Sequence, residues 1–346
     1  MDISLKDFLR LRRDLCAVDV RSHGEYQQGH IRNVLNIPLL NDEERVQVGT
    51  AYKQKGQQEA IRTGFRLVGP RLEEIIDRAV GEAQGREMIV HCWRGGMRSR
   101  NFSQFVGMAG IKTQTLAGGY KTYRTAALES YTKPLKIMLL TGCTGSGKSE
   151  ILRALRTAGE QILDLEHLAH HKGSAFGGLL QLPQPTTEQF QNELFEEIMI
   201  LDPSRRVWIE DESIAIGKIF LPKEFWNQMA SSPLIQMDVD RSIRVERLVN
   251  EYGPADRNEF LGIMRKIVKK LGGQNLKIAE ERLAAGDMHT TIDVLLSYYD
   301  KAYLGSIEKR KDRIRSVVRW NGTDPLAYAK ELITYLDNSQ KINRQS

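Results

Sequence analysis

The chain has 346 residues and a formal net charge of +6, with 41% hydrophobic and 27% charged residues. This composition excludes disordered and collagen-like proteins, and the length favours two domains over one. The positive charge allows a nucleic-acid partner without requiring one, and three cysteines are too few for a disulfide framework.

The first part of the chain alternates short apolar runs with helical patterns, which predicts a parallel sheet covered by helices. Its N-terminus lacks the basic region and apolar core of a signal peptide, and no apolar run is long enough to span a bilayer. We therefore expect a cytoplasmic protein with no membrane partner. Strands are predicted at 16–20, 33–37, 87–90 and 113–116, and helices at 41–52, 69–80 and 98–109.

Pro134 indicates a boundary, because a proline discourages a helix from running across it. We predict a first domain over residues 1–127 and a second over residues 128–346. Thr186 and Gln189 are spaced as a capping box at the start of one helix of the second domain. Its strands are predicted at 135–141, 161–165, 207–210, 234–239 and 316–320, and its helices at 188–201, 241–251, 258–271, 276–285 and 290–301. The predicted fold class is α/β, with a helical C-terminal part.

A cysteine-containing loop follows the predicted strand 87–90 and leads into a predicted helix. Cys92 would lie where backbone N–H groups and a helix N-terminus converge, a field that stabilises a thiolate and holds an anion. We predict that Cys92 is catalytic, as a nucleophile or a persulfide or perselenide carrier; the alternative is a buried structural cysteine. The remaining residues of the predicted anion-binding loop are Trp93, Arg94, Gly95, Gly96, Met97, Arg98 and Ser99.

A phosphate-binding loop follows the first predicted strand of the second domain. Its backbone N–H groups would surround a phosphate, Lys148 would bridge the outer phosphate oxygens, and Ser149 could hold Mg²⁺. The pattern predicts a bound phosphate and does not specify ATP. The predicted phosphate-binding residues are Gly142, Cys143, Thr144, Gly145, Ser146, Gly147, Lys148 and Ser149.

Acidic residues and histidines follow two further strands of the second domain. Asp211 and Glu212 come after strand 207–210 and could reach a metal or a water; a solvated strand end is the alternative. His167 and His171 are one helical turn apart, but no further His or Cys completes a metal site, so we assign no metal and favour contacts to phosphate or RNA, or proton transfer. The candidate substrate contacts are Asp164, Glu166, His167, His170, His171 and Ser174.

Two basic runs in the C-terminal part are candidates for nucleic-acid contact. Solvated surface charge explains such runs equally well. The candidates are Lys266, Lys269, Lys270, Lys309, Arg310 and Arg313.

The spacing of the Cys92 loop fits both cysteine-dependent phosphatases and sulfurtransferases, but the segments upstream resemble the rhodanese fold. The whole chain resembles bacterial tRNA 2-selenouridine synthases, which join a rhodanese domain to a P-loop domain. The matching segments are 19–21, 29–39, 49–56, 67–70, 91–99, 116–121, 141–149, 165–177 and 210–213.

This resemblance implies an enzyme that converts wobble 2-thiouridine of tRNA to 2-selenouridine. It implies two steps, in which geranyl diphosphate alkylates the sulfur and selenophosphate then displaces geranylthiol. The P-loop would hold the diphosphate or a phosphate of the selenium donor, Cys92 would serve selenium transfer, and no cofactor would be tightly bound. Besides tRNA, selenophosphate synthetase is an expected partner, as the selenium supplier.

Three other functions fit parts of the sequence. They are a small-molecule kinase or NTPase fused to a sulfurtransferase or phosphatase-like domain, a phosphatase with a Cys92-phosphate intermediate, and a persulfide sensor whose P-loop only switches conformation. All three leave residues 167–177 and the basic runs unexplained. For an apolar substrate pocket the candidates are Phe176, Leu179, Leu180 and Leu182, although core packing explains them equally well.

Overall fold

The computed structural model describes residues 1–345, with side chains through residue 338, and its contacts form two compact units. The first unit comprises Met1–Ser130 together with Gln191–Glu193. The second comprises Tyr131–Phe190 and the chain from Leu194 onward. Within the described residues, no helix is long and apolar enough to cross a membrane.

The first unit is built on a five-stranded parallel sheet with the order β1-β5-β4-β2-β3. The strands are β1 (Asp2–Ile3), β2 (Cys16–Asp19), β3 (Leu35–Asn36), β4 (Met88–His91) and β5 (Thr113–Leu116). The helices are α1 (Leu5–Leu11), α2 (His23–Gln28), α3 (Asp42–Lys55), α4 (Gln57–Val68), α5 (Leu72–Ala83), α6 (Met97–Met108) and α7 (Gly119–Ser130), with a 3₁₀ turn at Gly69–Arg71.

Strands β2 and β4 form the centre of this unit, because all of their residues are buried. Val18 and Val90 pack against Phe102 of α6 in one apolar cluster. Parallel strands end at a common edge, and β4 ends there at His91, directly before the Cys92 loop. The sheet therefore presents this loop at the edge where ligands bind in such folds.

The second unit contains another five-stranded parallel sheet, with the order β12-β11-β6-β8-β7. The strands are β6 (Lys136–Gly142), β7 (Gln161–Leu163), β8 (Arg206–Glu210), β11 (Leu234–Asp238) and β12 (Ile314–Arg319), beside an antiparallel pair, β9 (Ala215–Ile216) and β10 (Ile219–Phe220). The helices are α8 (Lys148–Thr157), α9 (Leu165–Ala169), α10 (Thr187–Met199), α11 (Lys223–Ser231), α12 (Arg241–Tyr252), α13 (Arg257–Lys266), α14 (Val268–Leu271), α15 (Gly273–Ala284), α16 (Met288–Glu308) and α17 (Pro325–Gln345), with a 3₁₀ turn at Lys311–Arg313.

Two apolar clusters organise this unit. One joins the sheet to α8 and α17, with Leu140, Trp208 and Leu332 at its centre. The other joins the C-terminal helices and includes Phe176 and Leu179, so these two candidates for a substrate pocket are core residues. The predicted helix over 258–271 is two helices, since α13 ends before Ile267 and α14 begins after it.

Candidate active site

The Cys92 thiol is enclosed by the loop that connects β4 to α6. The Gly96 N–H donates to its Sγ over 3.3 Å, and the Ser99 hydroxyl lies 3.3 Å from the same sulfur. Ser99 also donates to the Gly96 carbonyl oxygen at 3.1 Å, and a hydroxyl has a single hydrogen. Ser99 therefore accepts from the thiol in this arrangement, and rotation of its hydroxyl would turn the hydrogen toward a thiolate.

The start of α7 supports this loop from behind. The Tyr120 N–H donates to the Cys92 carbonyl oxygen at 2.8 Å, and the Lys121 N–H donates to that of Trp93 at 2.9 Å. Gly95 has φ +63°, and a Cβ at this position would lie 2.7 Å from the Leu116 carbonyl oxygen. Gly119 has the same φ, and a Cβ there would collide with the Cys92 carbonyl oxygen. Two glycines thus allow β5, α7 and the Cys92 loop to pack closely.

A buried ion pair lies beneath the loop. The Arg21 guanidinium donates to Asp19 Oδ1 at 3.0 Å and to Asp19 Oδ2 at 2.6 Å, and both side chains are fully buried. The guanidinium carbon also lies 3.8 Å from the centre of the Tyr120 ring. Burial lowers the pKa of His91, and its Nδ1 lies 3.4 Å from the Cys92 carbonyl oxygen, which can only accept. His91 is therefore neutral, with its proton on Nδ1.

The two arginines of the predicted anion-binding loop have different surroundings. Arg98 donates to the Glu25 carboxylate at 2.6 Å, and Arg45 lies 3.6 Å from the same carboxylate. Arg94 is exposed beside the half-exposed Trp93. The charge of Arg98 is thus balanced within the first unit, and the hydrogen bonds around the sulfur come from Gly96 and Ser99.

The phosphate-binding loop of the second unit connects β6 to α8. Gly145 and Gly147 have φ +82° and +78°, conformations that favour glycine because it lacks a Cβ. The Lys148 ammonium donates to the Gly142 carbonyl oxygen at 3.2 Å, across the mouth of the loop. Arg244 donates to the Thr144 carbonyl oxygen at 3.3 Å and so supports the loop from outside. The N-terminus of α8, a helix of ten residues, begins at Lys148.

Carboxylates line the same edge of the sheet. The Ser149 hydroxyl donates to Glu166 at 2.5 Å, and the Leu165 N–H donates to Glu210 at 3.1 Å. Burial, and then the charges of Asp164 and Glu166, raise the pKa of Glu210 well above its usual range. Burial and the Glu166 carboxylate raise the pKa of Glu212 to about 8. Glu212 is therefore predominantly neutral at pH 7 in this arrangement.

Asp211 and Glu212 are neighbours in the chain but differ in their partners. Asp211 accepts from the Thr141 hydroxyl at 2.7 Å and from Arg310 at 2.7 Å. Arg313 donates to two backbone carbonyl oxygens, those of Met229 and Ser232, each at 2.9 Å. Two of the six candidate nucleic-acid contacts, Arg310 and Arg313, therefore already bind protein groups. The exposed candidates are Lys266, Lys269, Lys270 and Lys309.

A cavity of about 720 Å³ opens beside the phosphate-binding loop. Lys148, Ser149 and Glu212 line it, so the structure brings the loop and the acidic strand end to one place. Four of the six candidate substrate contacts also line it, and His170 and His171 are not among the lining residues. The four are Asp164, Glu166, His167 and Ser174.

Three cations that line this cavity were not among the predicted site residues: Arg153, Lys172 and Arg247. Arg247 is paired with Glu150, and its guanidinium carbon lies 4.9 Å from the centre of the Trp320 ring. The arginines of α12 can be read from the sequence. No rule of residue spacing, however, places that helix beside the phosphate-binding loop, which lies about a hundred residues earlier in the chain. Arg153 lies four residues after Ser149 on α8, so helical spacing could have placed it on the same face as that predicted site residue.

His170, His171 and Cys143 have mainly structural surroundings. His170 Nδ1 lies 2.9 Å from the Pro183 carbonyl oxygen, and the His171 ring packs against Gly177. Among residues 1–345, no group of three or more His, Cys, Asp or Glu side chains is arranged to hold a metal ion. Burial raises the pKa of Cys143 to about 11, so this thiol of the phosphate-binding loop is a weak nucleophile at neutral pH.

Comparisons with known proteins account for both units. Residues 4–126 match the rhodanese-like domain, and residues 135–334 match the family model described as the tRNA 2-selenouridine synthase AAA domain. The predicted fold class, a rhodanese-like domain followed by a P-loop domain, is thereby confirmed.

Relatives named tRNA 2-selenouridine synthase match over nearly the full length. The protein from Nitrosomonas europaea is 31% identical, over 90% of this chain and 94% of its own. The protein from Bdellovibrio bacteriovorus is 32% identical, over 86% and 90%, and that from Serratia proteamaculans is 34% identical, over 96% and 97%. The resemblance recognised in the motifs extends through both units, and the chain belongs to the tRNA 2-selenouridine synthase family.

Proposed function

We propose that this protein replaces the sulfur of wobble 2-thiouridine in tRNA with selenium, in two steps that use geranyl diphosphate and selenophosphate. The observation that carries the proposal is the pairing of two different sites within one member of this family. One is an enclosed thiol at Cys92, and the other is a phosphate-binding cavity around Lys148. A protein that used only the thiol would not need the phosphate-binding cavity, and a protein that used only the cavity would not need the enclosed thiol.

The first step is alkylation. The thiocarbonyl sulfur forms a bond to C1 of the geranyl group while the C–O bond to diphosphate breaks, and diphosphate leaves with the electron pair. The N3 proton of the base is lost to water, which leaves a neutral S-geranyl-2-thiouridine. The positive N-terminus of α8 and the Lys148 ammonium would stabilise this leaving group. Mg²⁺ would neutralise further diphosphate charge, and the oxygens of Ser149 and Glu166, which lie 2.5 Å apart, are of the type it prefers.

The second step is displacement. Selenium of selenophosphate bonds to C2 of the base, the C–S bond breaks, and geranylthiolate leaves and takes up a proton. Water then cleaves the Se–P bond and releases phosphate. Cys92 would act here as the anchor of the selenium donor, because the Gly96 N–H and the Ser99 hydroxyl are positioned to stabilise an anion at its sulfur.

Mass spectrometry of nucleosides from tRNA incubated with the protein, geranyl diphosphate and selenophosphate tests this function. Wild-type protein should yield S-geranyl and seleno nucleosides, and Cys92→Ala should retain the first and lose the second. Cys16→Ala, which removes another buried thiol of the same unit, should retain both. Full selenation by Cys92→Ala would refute the role of this thiol.

The role of Lys148 needs a binding measurement. Lys148→Ala should weaken geranyl diphosphate binding by at least tenfold, because it removes a cation from the cavity. Lys136→Ala serves as the control, since Lys136 bonds the Ser204 carbonyl oxygen at the other end of β6. Equal affinity of wild type and Lys148→Ala for geranyl diphosphate would contradict the proposal that the diphosphate binds at this site. Unmodified tRNA together with nucleotide hydrolysis would favour a kinase or NTPase instead.

A further inference from the structure

A second cavity, of about 610 Å³, lies within the first unit between α3, α4 and α6. Its size is within the range of about 300–1,000 Å³ that is usual for small-molecule sites. Most of its lining is apolar, and this part includes Leu39, Val48, Ile61, Val68 and Phe105. The proposed phosphate chemistry does not use this cavity.

The rim of the cavity concentrates exposed apolar side chains. Val46, Tyr52, Phe65 and Met97 all line it, and each is between 45% and 60% exposed. Single exposed apolar residues are ordinary, whereas several around one cavity indicate a site that binds an apolar group. Because they come from α3, α4 and α6, no single helix pattern revealed them.

This cavity adjoins the helix that follows the Cys92 loop. Met97 and Arg98, which line it, form the first turn of α6, the helix that closes the loop. Leu39 and Val68 of the lining belong to the same apolar cluster as Cys92. A chain bound here would therefore lie next to the packing that surrounds the thiol.

Two of the three cations that line the cavity are already paired. Arg45, Lys53 and Arg98 line it; Arg45 and Arg98 are paired with Glu25, at 3.6 and 2.6 Å, and Lys53 is exposed. A diphosphate would have to compete with this carboxylate for the two guanidinium groups. A neutral hydrocarbon chain requires no such competition.

We propose that this cavity holds the geranyl chain of S-geranyl-2-thiouridine during the selenation step. The inference rests on the proposed function and adds the location of the chain. The bond to C2 breaks at the sulfur, so the leaving geranylthiol needs an apolar site beside the selenium-transferring thiol. The cavity at the start of α6, which shares an apolar cluster with Cys92, supplies that site, and transfer of the chain from water into it favours binding of the alkylated base over the unmodified one.

Glycine positions allow the cavity to be filled without disturbing the backbone. Gly64 of α4 and Gly49 of α3 line the cavity, and a Cβ at either would meet nothing within 4 Å. Gly81 of α5 has the same open surroundings but does not line the cavity, which makes it a matched control. A phenylalanine at Gly64 would occupy space that the geranyl chain needs.

Purified S-geranyl tRNA, selenophosphate and each variant would be assayed for the rate of selenation, with geranylation measured separately. Gly64→Phe and Gly49→Phe should slow selenation at least tenfold and retain geranylation within about twofold, and Gly81→Phe should match wild type in both. Unchanged selenation by both cavity variants, folded by circular dichroism, would overturn the inference. Loss of geranylation together with selenation would also overturn it, since the cavity would then serve the donor.

A binding measurement separates this inference from the proposed function. Isothermal titration of geraniol, an uncharged isoprenoid alcohol, should show binding to wild type and Gly81→Phe and none to Gly64→Phe. If wild type makes no seleno nucleoside, the proposed function fails while the titration still reports on the cavity. Absence of geraniol binding to wild type, or equal binding to Gly64→Phe, would overturn the cavity assignment.

Discussion

Removal of the Asp19 charge should destabilise the first unit far more than removal of a charge at its surface. Asp19→Asn keeps the shape of the side chain but leaves the Arg21 guanidinium without its counter-ion, in a position with no solvent exposure. Loss of one partner of a buried ion pair costs about 3–5 kcal/mol in the free energy of unfolding. For a unit of this size, that corresponds to a fall in Tm of roughly 10–20 °C.

The pH dependence of this loss follows from the pKa of Asp19. Burial acts to raise that pKa, but the charge of His91, which takes up a proton only as the pH falls, and the charge of Arg21 outweigh burial and hold the pKa below the usual value. The contribution of the Asp19 charge to the free energy of unfolding is therefore complete above the ordinary aspartate pKa of about 3.9. It is lost as the pH falls through the lowered pKa that Asp19 has in the folded state. The difference between wild type and Asp19→Asn should stay constant from pH 6 to 8.

Urea denaturation followed by circular dichroism would measure this difference. Lys112→Ala is the control in the same unit, because its pair with Glu87 spans 3.8 Å at an exposed position. We expect this control to lose about 0–1 kcal/mol. The reasoning is refuted if Asp19→Asn and Lys112→Ala lose similar amounts.

Two further predictions concern the phosphate-binding cavity. Gly147→Ala should lower the affinity for inorganic diphosphate and destabilise the protein by more than the roughly 1–2 kcal/mol of a left-handed alanine, since its Cβ would lie 2.6 Å from Trp320. Gly159 has φ +94° and open space around it, so Gly159→Ala is the control. It should lose only that smaller amount of stability in denaturation, and its diphosphate affinity in titrations should match wild type. In buffer free of divalent cations, diphosphate affinity should fall several-fold from pH 7 to 9, because Glu212, with a pKa of about 8, acquires a negative charge there. In calorimetric titrations, Glu212→Gln should lose the part of this fall in affinity that comes from the Glu212 charge. An identical dependence of affinity on pH in wild type and Glu212→Gln would contradict the role of Glu212.

Local patterns predicted the two loops well, because each loop joins a short apolar strand to a helix through glycines. The predicted strand 87–90 is β4, one residue later, and the predicted helix 98–109 is α6, one residue earlier. The predicted strand 135–141, before the phosphate-binding loop, is β6, again one residue later. Apolar runs and glycines are encoded within a few residues, so one sequence is enough to find them.

Elements that follow glycines were missed. Helix α4 begins directly after Gly56, which has φ +85°, and α7 begins at Gly119. At both places a glycine favours a turn, and packing against neighbouring elements continues the chain into a helix. Strand β1 has two residues, too few for any alternating pattern.

Pairs of residues that are far apart in the chain could not be predicted from the sequence, for a different reason. Nothing near Asp211 indicates that Arg310, 99 residues later, pairs with its carboxylate. Likewise, the apolar cavity at the start of α6 uses three helices, one of which was not predicted. Such features depend on how the chain closes on itself.

The place of β12 and Trp320 in the second unit has a consequence for synthesis on the ribosome. Strand β12 pairs with β11, and the Trp320 ring that follows it packs where a Cβ of Gly147 would lie. The phosphate-binding loop thus leaves the ribosome long before the strand and ring that complete its surroundings. During translation the β1–β5 sheet can form early, whereas the phosphate site matures only when the last strand has been made. Slow translation late in the message would prolong the immature state, in which the edge of β11 is exposed to mispairing.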